Sequence, residues 1–183
     1  MGIPGVGKTT VVDRLQSLVK GSRLVTFGSL MLEQGVKRRW IKHRDELRKL
    51  AVEKQRTLQT EAAAAIAKMK EDTVIVDTHL FIRTKEGFWP GLPFEVVRAM
   101  KPTHLVLVEA SPAEITARRS ADRTRYRDRV SRQGLLEEIT LARQFLSVSS
   151  TLTGAPMLMV SNRNGKADDV AAGIAKMIRG ASK

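Results

Sequence analysis

The run Gly2-Ile3-Pro4-Gly5-Val6-Gly7-Lys8-Thr9-Thr10 carries the most legible chemistry in this chain, because it fits G-x-x-x-x-G-K-[ST]. Glycines at these spacings let the backbone curl so that successive N–H groups face one concavity, a cradle for phosphate oxygens. Lys8 is long enough to reach the β- and γ-phosphates of a bound nucleotide. The Thr9 hydroxyl falls where a Mg²⁺ ligand is needed. An apolar-periodic run follows (Val11, Val12, Leu15, Leu18, Val19), giving a helix whose N-terminus favours negative charge.

A second candidate is Asp77, at the end of the apolar run Thr73–Asp77. An acid at the tip of a buried strand beside a phosphate loop is the Walker-B arrangement, and it holds Mg²⁺ directly or through water. His79 follows, placed to hydrogen-bond a phosphate or to fix the loop; no catalytic role is assigned to it. A third feature is the concentration of guanidinium groups at Arg118, Arg119, Arg123, Arg125, Arg127, Arg129 and Arg132. Phosphoryl transfer asks for in-line placement and cations around the moving charge. Arginine answers with planar, bidentate recognition that lysine cannot copy. A nucleic-acid surface is the competing use, but Tyr126 is the only aromatic residue there, a poor stacking platform.

Composition narrows the setting. The chain has 183 residues, 42% hydrophobic, enough for one domain with a substantial core. It contains no cysteine, which excludes disulfides and thiolate metal sites. No apolar stretch has the length of a membrane span, and a cytoplasmic enzyme fits best. The net charge of +13 attracts polyanions, nucleotides and nucleic acids alike. A second basic cluster, Lys37, Arg38, Arg39, Lys42, His43 and Arg44, reads as a solvated face.

These groups need elements to hold them. Four short apolar runs predict strands: Leu24–Phe27, Thr73–Asp77, His104–Glu109 and Met157–Ser161. Most lack alternation, as in strands buried on both faces of a parallel sheet. Helical patterns lie over Val11–Lys20, Arg44–Lys70, Pro93–Met100, Pro112–Ser120, Gln133–Ser147 and Ala167–Ile178, with Ser111 as an N-cap. Phe88–Pro93 reads as a turn-rich segment. Strand–helix alternation predicts an α/β layered fold with right-handed crossovers. Only Met1 precedes Gly2, so the strand that should lead into the loop is expected upstream.

Together the motifs resemble the archaeal-type adenylate kinases, within the nucleoside monophosphate kinase group of P-loop proteins. The likeness runs through Gly2–Thr10, Phe27–Met31, Arg44–Leu50, Val74–His79, Gly91–Pro93, Thr124–Asp128, Leu152–Ala155 and Asn162-Arg163. It implies a P-loop NTPase three-layer fold, a parallel β-sheet flanked by helices, in one kinase domain over residues 1–183. A helical AMP-binding region is expected at about 28–70 and an Arg-rich lid at about 119–132. The implied reaction is ATP + AMP ⇌ 2 ADP with Mg²⁺ as cofactor, in a homotrimer. By resemblance, Gly2, Ile3, Pro4, Gly5, Val6, Gly7, Lys8, Thr9 and Thr10 cradle the ATP phosphates, and Thr9 and Asp77 serve the metal. Lys8, Arg119, Arg125, Arg127 and Arg143 are catalytic. Arg48 and Arg83 grip the AMP phosphate, and Asn162–Gly165 borders the adenine. The resemblance also implies that the first strand is central in a five-stranded sheet, so the chain as written is expected to be poorly stable or inactive without it. A P-loop protein acting on an RNA or ribosomal partner, and a kinase for another nucleoside monophosphate, stand as alternatives.

Overall fold

The computed structural model describes residues 1–84, 87–121 and 130–181. The chain alternates helices and strands as the apolar pattern predicts. Helix α1 (Lys8–Leu18) is followed by β1 (Arg23–Thr26), α2 (Phe27–Lys37), a 3₁₀ helix (Arg44–Lys49) and α3 (Val52–Ala67). Then come β2 (Val74–Asp77), β3 (Phe81–Thr84), β4 (Gly87–Pro90), α4 (Phe94–Met100) and β5 (Leu105–Glu109). Helices α5 (Pro112–Ala121) and α6 (Arg132–Thr153), strand β6 (Met157–Ser161) and α7 (Ala167–Ala181) complete the order.

The parallel strands stand in two pairs. β1 lies against β2, Arg23 opposite Val74 through Thr26 opposite Asp77. β5 lies against β6, Leu105 opposite Met157 through Glu109 opposite Ser161. The residue before the phosphate loop continues the β5–β6 pair: Met1 donates to the Val106 carbonyl at 2.8 Å and accepts from Val108 N at 2.9 Å. That is the slanted exchange of a parallel ladder, made beside Leu107. It places the loop at the carboxyl ends of the strands, the edge where open α/β sheets bind ligands.

Packing follows residue type. Leu105, Leu107 and Val108 of β5 are buried, together with Val11 and Leu15 of α1, Ile115 of α5 and Leu146 of α6. Helix α1 packs on α7, which buries Ala171, Ile174 and Ala175. Each large aliphatic side chain removed from water contributes about 1.5–3 kcal/mol before entropy is counted. Ser111 caps α5 as its position predicts: it accepts from Glu114 N at 3.3 Å, and the Glu114 carboxylate reaches back to Ser111 N at 3.0 Å.

Three expectations are corrected. The helical run Arg44–Lys70 is two elements, because Leu50 and Ala51 are extended (ψ 146° at both) and separate the 3₁₀ helix from α3. The segment from Phe88 is not simply a turn. Residues 88–90 belong to β4, antiparallel to β3, and Phe81 meets Phe88 edge-on at 5.1 Å while also packing on Phe145 of α6 at 5.8 Å. Helix α2 falls within the helical region expected at about 28–70 but starts at Phe27, which the apolar run places in a strand; it buries Phe27, Met31 and Gly35 against the core.

Candidate active site

Two non-standard backbone positions shape the phosphate loop: Gly5 at φ 92° and Gly7 at φ 81°. Gly7 is the N-cap of α1, in the left-handed region that L side chains avoid. A Cβ there would also strike the Asn162 amide. The outer side of the loop is tied down through its carbonyls. Val6 O accepts from Asn162 Nδ2 at 2.8 Å and from Arg118 Nη1 at 3.0 Å, while Pro4 O accepts from Arg119 Nε at 2.9 Å. Arg118 continues to the Asn162 carbonyl (2.9 Å) and Asn164 Oδ1 (2.7 Å), joining the loop to the β6–α7 connection. With carbonyls engaged outside, the N–H groups of the curl are left for an anion.

Inside, Lys8 is buried and its ammonium is paired with the Asp77 carboxylate. Both line a cleft of about 380 Å³ together with Gly5, Gly7, Thr9 and His79. His79 shares this cleft and feels the charges of Lys8 and Asp77. Burial pushes its pKa down to about 4, Lys8 adds to that, and Asp77 opposes it, so the imidazole is neutral. Thr9 is exposed at the mouth and Thr10 is exposed outside it. Among the described residues no group of three or more His, Cys, Asp or Glu could hold a metal alone. A hydroxyl and a carboxylate beside a phosphate cradle suit a hard, octahedral cation that takes its remaining ligands from phosphate and water, and the donor set fits Mg²⁺.

The far wall comes from α2, the 3₁₀ helix and α3. The Arg44 guanidinium lies over Gly28, where an added Cβ would sit 3.0 Å from Nη2. Gln59, buried on α3, points its amide at the Pro90 and Gly91 carbonyls, both at 3.3 Å. Gly91 packs so closely under the His79 carbonyl that a Cβ would collide with it. A second, more open hollow lies between Arg23 and Lys68–Glu71 and shares no lining residue with this cleft.

The anticipated arginines are distributed unequally. Arg119 is on the loop, as described, and its Nη2 bonds Glu138 Oε2 at 2.8 Å. Arg83, on β3, approaches Glu138 Oε1 at 3.5 Å and stacks over Phe88. Arg143 is bound by Glu109 through both carboxylate oxygens, at 2.7 and 3.1 Å, which raises its already high pKa. Arg48 is exposed on the 3₁₀ helix and does not line the cleft, whereas Arg44 of the same element does. Arg125 and Arg127 fall outside the described residues. Sequence reasoning singled out neither Arg44 nor Glu138 for the site. Glu138 had a signal: it interrupts the buried stripe Leu135, Ala142, Leu146 of α6.

A glycine loop feeding a helix, a strand-tip carboxylate on its lysine and a parallel sheet beneath define a P-loop phosphoryl-transfer domain. The model of the family described as "AAA domain" matches residues 1–135. The chain is 40% identical over 177 residues to an adenylate kinase of Thermoplasma acidophilum, covering 97% of this chain and 95% of that one. It is 38% identical over 181 residues to an adenylate kinase of Methanopyrus kandleri (97% and 95%) and 49% identical over 129 residues to one of Pyrococcus furiosus (69% and 66%). The chain belongs to the archaeal-type adenylate kinases, and it is a phosphotransferase.

Proposed function

We propose that the protein transfers the γ-phosphoryl group of Mg²⁺-ATP reversibly to AMP, giving two ADP. The observation that carries this is a single cleft holding both halves of the reaction: the phosphate loop with Lys8 and Asp77 on one wall, Arg44 and the α2–α3 surface on the other. Loop N–H groups take the donor's β- and γ-phosphates, and Lys8 exchanges its carboxylate partner for phosphate oxygens. Thr9 and Asp77 would hold Mg²⁺, which would supply positive charge at those oxygens. Arg44 and Arg83 face the acceptor phosphate, and the exposed Arg48 joins them from the next turn of its helix. Arg119 holds the loop. Arg143, with Arg125 and Arg127, brings guanidinium charge to the moving group once the nucleotide draws it from its present partners. The loop Asn162–Gly165 borders the adenine.

A homotrimer and a cytoplasmic location belong to the same reading; among the described residues no helix is long and apolar enough to cross a membrane. Light scattering at working concentration checks the trimer. The deciding experiment is a coupled assay of ADP formation from ATP with AMP, CMP, UMP or GMP, with and without Mg²⁺. The reading expects AMP to be preferred and Lys8→Ala to abolish turnover. Salt-sensitive RNA binding with no turnover would overturn it in favour of an RNA-directed role.

A further inference from the structure

Glu138 is a carboxylate on the apolar stripe of α6, with its side chain only 6% exposed. An acid in that position is retained only where it is paired. Its two oxygens serve arginines from different elements that border the cleft's lining: Arg119 of α5, bonded to the Pro4 carbonyl, and Arg83 of β3, next to Ile82. Oε2 accepts from Arg119 at 2.8 Å, and the Arg119 side chain is 14% exposed. Oε1 faces Arg83 at 3.5 Å, and that side chain is 45% exposed. The two contacts are therefore unequal. Arg119 is fixed at both ends of its guanidinium, by Glu138 and by the Pro4 carbonyl, and its stem packs on Gly5, where an added Cβ would meet Cγ at 3.0 Å. Arg83 has a long contact and a solvent-facing side chain, so it is the one that an incoming anion can take.

We propose that Glu138 is a positioning residue with two opposed effects: it holds Arg119 on the phosphate loop, and it competes with the acceptor's phosphate for Arg83. When Arg83 leaves for that phosphate, the whole carboxylate charge remains for Arg119. A buried carboxylate with one remaining guanidinium partner grips it more strongly, since an unpaired buried charge is costly. Filling the acceptor side thus stiffens the donor side through a shared counter-ion. This rests on the kinase reading and on the acceptor-side role of Arg83.

The test is the initial-rate kinetics of Glu138→Gln, which keeps the shape and one acceptor oxygen but removes the charge. The KM for AMP should fall about threefold, because Arg83 is freed and a negative charge is gone from its side. The KM for ATP should rise about tenfold, because Arg119 no longer fixes the loop. A merely weakened fold lowers the active fraction and leaves both KM values in place, so opposite movement is diagnostic. KM values that stay put or move together overturn the inference. Should the variant not fold, the intact protein labelled at arginine ¹⁵Nε decides. AMP alone should shift the Arg83 signal and leave the Arg119 Nε–H slow to exchange; faster exchange at Arg119, or an unmoved Arg83, overturns it. ADP formation by the parent chain is read in the same assay. If the parent makes ADP and the two KM values move together, this inference alone fails; if it makes none, the kinase reading falls and takes this with it.

Discussion

The two walls of the cleft are built on different principles. The phosphate loop is contiguous in sequence, rests on buried Ile3 and Val6, and has its outer carbonyls tied to Asn162, Arg118 and Arg119. The arginines that would meet the other phosphate come from separate elements. Arg44 and Arg48 lie on a 3₁₀ helix, Arg83 on a hairpin strand and Arg143 on α6. Two of them currently rest on carboxylates, Arg83 near Glu138 and Arg143 on Glu109. The loop's backbone is thus preformed, whereas the cations around the cleft, Lys8 on Asp77 as much as Arg83 near Glu138 and Arg143 on Glu109, keep their charge in reserve on internal counter-ions. A site of this design offers its backbone cradle with little rearrangement and releases its cations only in exchange for anionic ligand.

That contrast can be broken most directly at Lys8. Lys8→Ala should cut kcat by about 10³-fold, about 4 kcal/mol, and should also lower the melting temperature, because the largely buried Asp77 loses its partner. A loss under tenfold would mean the preformed wall is not where the phosphoryl group moves. The next effect is on stability, at the seam beneath both walls. His79 has a pKa of about 4 in the folded protein against 6.5 when unfolded, so between these values the unfolded chain binds the extra proton. Stability must therefore rise with pH over that window and be lost as pH falls toward 4, by about 3 kcal/mol in all. Melting curves from pH 6.5 down to 4.5 should show the decline, and His79→Gln should flatten it. The carboxylates of Glu46, Glu71 and Glu114 are held below their usual range, by backbone donors from Lys42 and His43, by Arg23, and by Ser111 respectively. Their stabilisation is complete above 4.5, the ordinary value, and is lost only as pH falls below it.

Gly7→Ala comes next. It places a side chain at a left-handed position against Asn162, a strain of about 1–3 kcal/mol. Binding of a non-hydrolysable ATP analogue, measured by calorimetry, should weaken by about tenfold or more while AMP binding holds. Equal losses for both ligands would show that the turn at Gly7 shapes the acceptor side as much as the donor side. The smallest effects separate the two arginines of the 3₁₀ helix. Arg44→Ala should raise the KM for AMP about tenfold and Arg48→Ala about threefold, each with the KM for ATP unchanged. A larger effect at Arg48 would mean that this helix turns when the acceptor binds.

Much of this was legible in the chain, for reasons that differ by residue. The phosphate loop is readable because its function is a backbone conformation, and glycine spacing encodes backbone conformation locally. Asp77 is readable because an acid closing an apolar run stands at a strand tip, and β2 does end there. β6 has the limits its apolar run predicts, while α6 extends past them to Thr153. The hairpin β3–β4 was not legible, because it depends on Phe81 meeting Phe145, which lies 64 residues further along. The break at Leu50-Ala51 was hidden too, since both residues are good helix formers and tertiary context overrode that preference.

The sequence alone determined the phosphate-loop motif, since a glycine-rich curl followed by lysine and threonine takes its shape from neighbours in the chain. It also determined the alternation of buried strands and amphipathic helices beneath that curl. Only the tertiary structure decided which arginines are held, which are within reach of the cleft, and that Glu138 stands between two of them. A guanidinium's partner is set by the packing of distant elements, and one-dimensional spacing carries no record of it.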